Sequence, residues 1–104
     1  MAKGLFRLRT GEKAMHTDEY EISLAREINV CKRVIQQTET KLAERRQRFA
    51  MDLPQARKAV AEGRLIVETQ ELAEWSDDFE ALPQWEQRLE QYHEALAIMR
   101  ISAS

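Results

Sequence analysis

Residues 24–49 read LAREINVCKRVIQQTETKLAERRQRF, and their apolar positions repeat with the period of a helical seam. Alternating steps of four and three residues separate these positions, which is the heptad spacing of helices that pack side by side. The stripe consists of Leu24, Ile28, Cys31, Ile35, Thr38, Leu42, Arg45 and Phe49. We therefore predict one long helix, ending near Met51 because Pro54 disfavours helical geometry at Leu53.

The expected start of this helix is at Thr17 or Asp18. Asp18 and Glu21 have the spacing of a capping box, in which two side chains satisfy free backbone N–H groups. Val30 and Val34 widen the apolar stripe in the middle of the helix. A wider stripe indicates contact with a third helix, from this chain or from a partner.

An elbow follows over Asp52–Val67. Pro54 suits the first turn of a helix, so we predict a short helix over Gln55–Glu62. Gly63 suits the position just after that helix, where a left-handed backbone is common. Residues 64–67 (RLIV) fit either a brief extended stretch or the first turn of the next helix.

A second apolar ladder runs from Glu68 to Ile101. Its members are Leu72, Trp75, Phe79, Leu82, Trp85, Leu89, Tyr92, Leu96 and Met99. Two steps of three in succession fall across Pro83, so the stripe shifts there. A proline inside a helix removes a hydrogen bond, and we expect a kink at Pro83. A full chain reversal at Pro83 is the alternative.

The predicted fold is all-α: an elongated antiparallel helical hairpin, coiled-coil-like, with a short elbow helix and a kink at Pro83. The alternative is a compact three-helix bundle that reverses at Pro83. We divide the chain into a basic N-terminal arm, residues 1–16, and a single helical domain, residues 17–104.

Composition narrows the classes of function. The chain has 104 residues, a net charge of −2 and one cysteine. Residues 1–67 carry a net charge of +5 and residues 68–104 a net charge of −7, so the two arms have opposite charges that can pair with each other. We therefore expect no binding to nucleic acid. No apolar run is long enough to span a bilayer, and we expect no membrane binding. A single cysteine fits a reducing compartment, so we expect a cytoplasmic protein.

Residue patterns that suggest chemistry are weak. Glu90 and His93 have the spacing of one half of a di-iron motif, and the second half is missing from the sequence. Four carboxylates lie close together on the second arm, where we expect a solvated face or a docking surface for a basic partner: Glu71, Glu74, Asp77 and Asp78. Cys31 lies within the first ladder and is expected to be buried. We predict no catalytic residues, no metal, no cofactor and no small-molecule substrate.

The expected function is that of a non-enzymatic protein–protein interaction module, such as an adaptor, an assembly factor or a small chaperone. The alternative is a structural subunit of a larger complex, anchored by its basic N-terminal arm. Partners are expected to be another protein, a second copy in a homodimer, or both. The candidate partner-binding residues are basic and aromatic: Phe6, Arg7, Arg9, Arg45, Arg46, Arg48, Trp75, Phe79, Trp85 and Tyr92.

Two short stretches resemble helical families. The run Leu5-Phe6-Arg7-Leu8-Arg9 is similar to the Leu/Arg-rich starts of the coiled hairpins in flagellar and type III export stalk proteins. The stretch LPQWEQRL, residues 82–89, resembles the Leu-Pro and amphipathic arm of tubulin-binding cofactor A. The Tyr-Asp-aliphatic-Lys-Lys-Gln signature of that family is absent from residues 66–71. Both resemblances imply helices alone, and neither assigns the chain to a family.

Overall fold

The computed structural model describes residues 9–103, with side chains from Glu19 to Ile101. It contains three helices: α1 (Arg9–Phe49), α2 (Leu53–Ala61) and α3 (Thr69–Ala103). The two long helices pack against each other in opposite directions, because Arg45 lies beside Asp78 while Glu21 lies beside Arg100. The all-α helical hairpin predicted from the sequence is confirmed.

The hairpin is elongated, with dimensions of 75 × 24 × 18 Å and a radius of gyration of 22.2 Å. A compact domain of this length would have a radius of gyration of about 13 Å. Helix α3 continues through Pro83, so the chain does not reverse there. Pro83 has no N–H to donate to the carbonyl of Phe79 four residues earlier, which leaves that helical hydrogen bond unmade.

Helix α1 begins earlier than expected. The prediction of a helix start at Thr17 or Asp18 is wrong, because α1 already includes Arg9 and passes through residues 16 and 17 without a break. The physical reason is that residues 12–15 (EKAM) are good helix formers and residues 9–17 contain no proline. The capping-box spacing of Asp18 and Glu21 therefore lies inside a helix that has already begun.

The elbow contains the short helix that its sequence predicts, which starts at Leu53 rather than at Gln55. Helix α1 ends at Phe49, and Ala50 adopts a left-handed backbone with φ of 60°. Asp52 caps α2: its carboxylate accepts from the backbone N–H of Gln55, whose side chain accepts from the N–H of Asp52. Residues 50–52 thus turn the chain directly from α1 into α2.

Helix α2 ends in a Schellman motif. Gly63 has a φ of 75°, and its N–H donates to the carbonyl of Val60 while the N–H of Arg64 donates to the carbonyl of Ala59. Residues 65–68 are neither helix nor strand, so the first of the two readings of residues 64–67, a non-helical stretch before α3, is the better one. The elbow therefore consists of one short, well-capped helix with a tight turn before it and a loop after it.

The core follows the two predicted ladders and forms a cluster at each end of the hairpin. At the elbow, Leu53, Ala56 and Trp75 are buried and are surrounded by half-buried apolar side chains: Leu42, Phe49, Met51, Leu65 and Leu72. At the other end, which we name the open end, Leu24, Ile28 and Leu96 are buried. Every first-ladder position is buried or half-buried, and in the second ladder only Phe79 is exposed.

Candidate docking surface

A network of ion pairs joins the two long helices near the elbow. Arg45 lies in the α1–α3 seam with its side chain 13% exposed, and it donates to Asp78 at 2.8 Å. The same guanidinium lies 3.8 Å from Glu71 and 3.6 Å from Glu74. Lys41 also pairs with Asp78, and Arg48 with Glu71. One arginine in the seam thus contacts three carboxylates of α3.

This network changes the interpretation of the acidic residues on the second arm. Glu71, Glu74 and Asp78 were expected to face solvent or a basic partner. That expectation is wrong for Glu71 and Asp78, which are half-buried and pair with α1, whereas Glu74 pairs with Arg45 but stays exposed. The reason is that Arg45 occupies a seam position, and a charge there requires partners from the facing helix. Of the predicted binding residues, Arg45 and Arg48 are already engaged within the chain.

The predicted aromatic residues have different surroundings. Trp75 is 1% exposed and stacks on Phe49, with ring centroids 5.1 Å apart. It is therefore part of the core rather than the surface. Trp85 and Tyr92 are half-buried. Tyr92 packs against the buried cluster at the open end, and the guanidinium of Arg88 lies 4.7 Å from the centre of the Trp85 ring. Phe79 is the exception, because 41% of it is exposed.

Phe79 borders an apolar groove at the elbow. The groove has a volume of about 310 Å³, which is enough for one or two large side chains of a ligand. All three helices contribute, together with the turn before α2: the walls are Leu42, Arg46, Asp52, Leu53, Trp75, Phe79, Leu82 and Pro83. Most of this lining is aliphatic or aromatic, so the groove suits an apolar side chain.

Two charged residues lie on the rim of the groove, and they differ in whether they are already bound to another group of the chain. The carboxylate of Asp52 accepts the capping hydrogen bond of α2. Arg46 is exposed and forms no ion pair within the side chains that the structure describes. It follows that the groove has one unengaged cation, on its α1 side.

A row of glutamates continues from the groove along α3. Glu90 and Glu94 follow Pro83 by seven and eleven residues, which is close to two and three helical turns, and Glu86 lies beside them. All three are exposed, and none of them forms an ion pair with any side chain between Glu19 and Ile101. We refer to Glu86, Glu90 and Glu94 as the acidic stripe. It lies on the same face of α3 as Pro83, which is itself a wall of the groove.

Other candidate features lead to no chemistry. Cys31 is buried, and burial raises the pKa of its thiol, with the positive charge of Arg88 acting in the opposite direction. Its predicted burial is confirmed. Glu90 and His93 are both exposed, and no group of three metal-ligating side chains occurs among the described residues. No described helix is long and apolar enough to span a membrane.

Some of the predicted residues cannot be assigned to this surface. Phe6 and Arg7 lie outside the described residues, and Arg9 is described only as the first residue of α1. Conversely, Leu42, Leu82 and Pro83 line the groove and were predicted only as seam or kink positions. The phase shift across Pro83 was the available signal, because a stripe that changes direction leaves a residue such as Phe79 at its edge.

Comparison of the chain with protein-family models, with curated proteins and with solved structures gave no match. The fold and the surface thus define a class, an elongated all-α hairpin with an apolar groove at its elbow, and function is inferred from that surface alone.

Proposed function

We propose that the chain is a non-enzymatic protein–protein interaction module, acting as an adaptor, an assembly factor or a small chaperone. The observation that carries this proposal is the apolar groove at the elbow, open to solvent beside Phe79. Grooves between helices that accept an apolar side chain are a common way to bind a helical segment of another protein. We also propose a cytoplasmic location, because the buried, reduced Cys31 suits a reducing compartment.

The groove is well suited to a rigid docking role. Its floor includes the buried side chains of Leu53 and Trp75, so it does not need to form when a ligand arrives. The capping interactions of Asp52 with Gln55 fix the start of α2, which provides one wall. Preformed sites lose less conformational entropy on binding.

The test is a comparison of proteins captured by the wild-type chain with those captured by two variants, using quantitative mass spectrometry. Phe79→Ala removes a wall of the groove, whereas Ala43→Ser changes an exposed residue on α1 away from it. A partner of the groove is retained by Ala43→Ser and depleted at least fivefold by Phe79→Ala. Equal capture by both variants would count against the groove as the binding site.

The structural-subunit alternative is favoured by one observation at the open end. Because Arg100 pairs with Glu21, α3 ends close to the level of Asp18, while α1 continues to Arg9. The backbone of α1 therefore extends beyond the last described turn of α3, and under this alternative its basic start would be the anchor. Removal of residues 1–14 should abolish incorporation into a complex under this alternative, and should leave capture through the groove intact under the main proposal.

A further inference from the structure

The elbow groove and the acidic stripe lie on one face of α3, and this face continues to the open end. Ile101 follows Pro83 by eighteen residues, which is five full helical turns, so both lie on the same side of the helix. Ile101 and the neighbouring Ile98 are 74% and 64% exposed. Over about 27 Å, this face therefore presents an apolar groove, then the acidic stripe, and then an apolar patch at Ile98 and Ile101.

This order of properties specifies the chemistry of an occupant. We propose that the face binds a basic amphipathic helix of a partner protein, with an apolar side chain in the elbow groove, Lys or Arg side chains over the acidic stripe, and a second apolar contact at Ile98 and Ile101. The proposal rests on the proposed function and adds the class of partner. Opposite charges facing each other across a helix pair favour the correct partner and register.

The negative charge along this face comes from the acidic stripe, because four other acids of α3 are already paired within the chain. Glu71, Glu74 and Asp78 pair with Arg45, Lys41 and Arg48 of α1, and Glu80 pairs with Arg57 of α2. The acidic stripe has no such pairing among the described side chains. A basic helix would thus find its counter-charges in Glu86, Glu90 and Glu94.

Arg46 limits where the bases of the partner can lie. It stands on the α1 side of the groove, so a cation beside the apolar anchor would be repelled there. Bases are favoured only beyond the anchor, over α3. The C-terminal end of the partner helix, with its partial negative charge, is the end that suits Arg46.

A second copy of this chain fits the face less well. Two copies of α3 packed in opposite directions would bring the apolar ends together, groove against Ile98 and Ile101. The same packing would place Glu90 of each copy near the middle, against like charges from the other acidic stripe. Like charges facing each other at an interface oppose association. This repulsion is the reason that we assign the face to a different protein.

The experiment uses the full chain and three synthetic 24-residue helices, labelled for fluorescence anisotropy. The three peptides share leucines spaced for the groove and for Ile101, and they differ only at the positions that would face the acidic stripe, which are all Lys, all Gln or all Glu. The Lys peptide should bind about tenfold more tightly than the Gln peptide at low salt, and the Glu peptide most weakly. The advantage of the Lys peptide should disappear at high salt.

Matched variants of the protein assign the effect to the stripe. The triple variant Glu86→Gln, Glu90→Gln, Glu94→Gln should bind the Lys and Gln peptides equally. A control with the same change in net charge, Glu27→Gln, Glu39→Gln, Glu44→Gln, alters three exposed residues of α1. This control should retain the preference for the Lys peptide to within twofold.

The groove is tested in the peptide, so that the fold of the protein does not change. Replacing the leucine that would enter the groove by alanine should weaken binding of the Lys peptide about tenfold. Equal binding of the Lys, Gln and Glu peptides, together with loss on removal of that leucine, would overturn the basic partner while leaving the groove as a docking site. No loss on removal of the leucine would count against both proposals.

Sedimentation that shows a dimer dissociated by Phe79→Ala would identify a second copy as the occupant and overturn the assignment to a basic partner.

Discussion

The elbow end and the open end of the hairpin are stabilised to different degrees by different interactions. At the elbow, three helices surround Trp75, which is 1% exposed, and Arg45 binds three carboxylates across the seam. At the open end, two helices meet over Leu24, Ile28 and Leu96, and the ion pair of Arg100 with Glu21 is exposed. Most of the free energy of folding should therefore come from the elbow, which is where the groove is rigid.

The largest predicted effect is that of Trp75→Ala. It removes the side chain on which Phe49 stacks and against which Leu53 and Ala56 pack. We expect a loss of about 4 kcal/mol in the free energy of unfolding, measured by urea denaturation with circular dichroism. The matched change at the open end, Leu96→Ala, should cost about 2 kcal/mol because that site is closer to solvent. A larger loss for Leu96→Ala than for Trp75→Ala would contradict the difference between the ends.

The second effect in size concerns the ion pairs at the elbow. Arg45→Ala leaves Glu71, Glu74 and Asp78 close together without their shared cation, and we expect a loss of about 2 kcal/mol in the free energy of unfolding. Arg46→Ala is the control, because Arg46 is exposed and forms no ion pair with a described side chain. It should change stability by less than about 0.5 kcal/mol. If Arg45→Ala and Arg46→Ala lowered the free energy of unfolding by similar amounts, the ion pairs of Arg45 would contribute little to stability.

These two sites also show how far the sequence predicts the structure. The heptad spacing from Leu24 to Phe49 and the proline and glycine of the elbow are local signals. They correctly predict the hairpin, the presence of α2 and the glycine after it, but the cap formed by Asp52 was not predicted. The pairing of Arg45 with Asp78 joins residues that are 33 apart in the chain, and it depends on the register between the two long helices. Charge patterns within one helix do not contain that register, so the acids were assigned to solvent.

The groove could be predicted only in part, for a related reason. The phase shift across Pro83 indicates where the stripe on α3 changes direction, but the position of Leu53 and Asp52 beside Phe79 depends on how α2 folds back. The start of α1 was missed because the spacing of Asp18 and Glu21 also occurs inside helices. Local motifs thus gave the helix ends at the elbow and were misleading at the N-terminal end.

A smaller effect of opposite sign is expected at the turn between α1 and α2. Ala50 has a φ of 60°, and a side chain in this left-handed region costs about 1–2 kcal/mol. Ala50→Gly should therefore raise the free energy of unfolding by about 0.5–1 kcal/mol, after the greater flexibility of glycine in the unfolded chain is included. Ala43→Gly, within α1, should lower it by about 1 kcal/mol. Urea denaturation of both variants provides the measurement, and a loss of stability in Ala50→Gly would contradict the left-handed backbone.

The smallest effect is expected at the open end. Arg100 lies 3.1 Å from Glu21, but its side chain is 63% exposed and that of Glu21 is 38% exposed. Water and salt screen such a pair, so Arg100→Ala should change the free energy of unfolding by less than about 0.5 kcal/mol. Hydrogen exchange gives the complementary measurement, because amides near Leu96 should exchange faster than those near Trp75 in the wild-type chain. A loss as large as that of Arg45→Ala, or equal protection at the two positions, would mean that the hairpin unfolds as one unit from end to end.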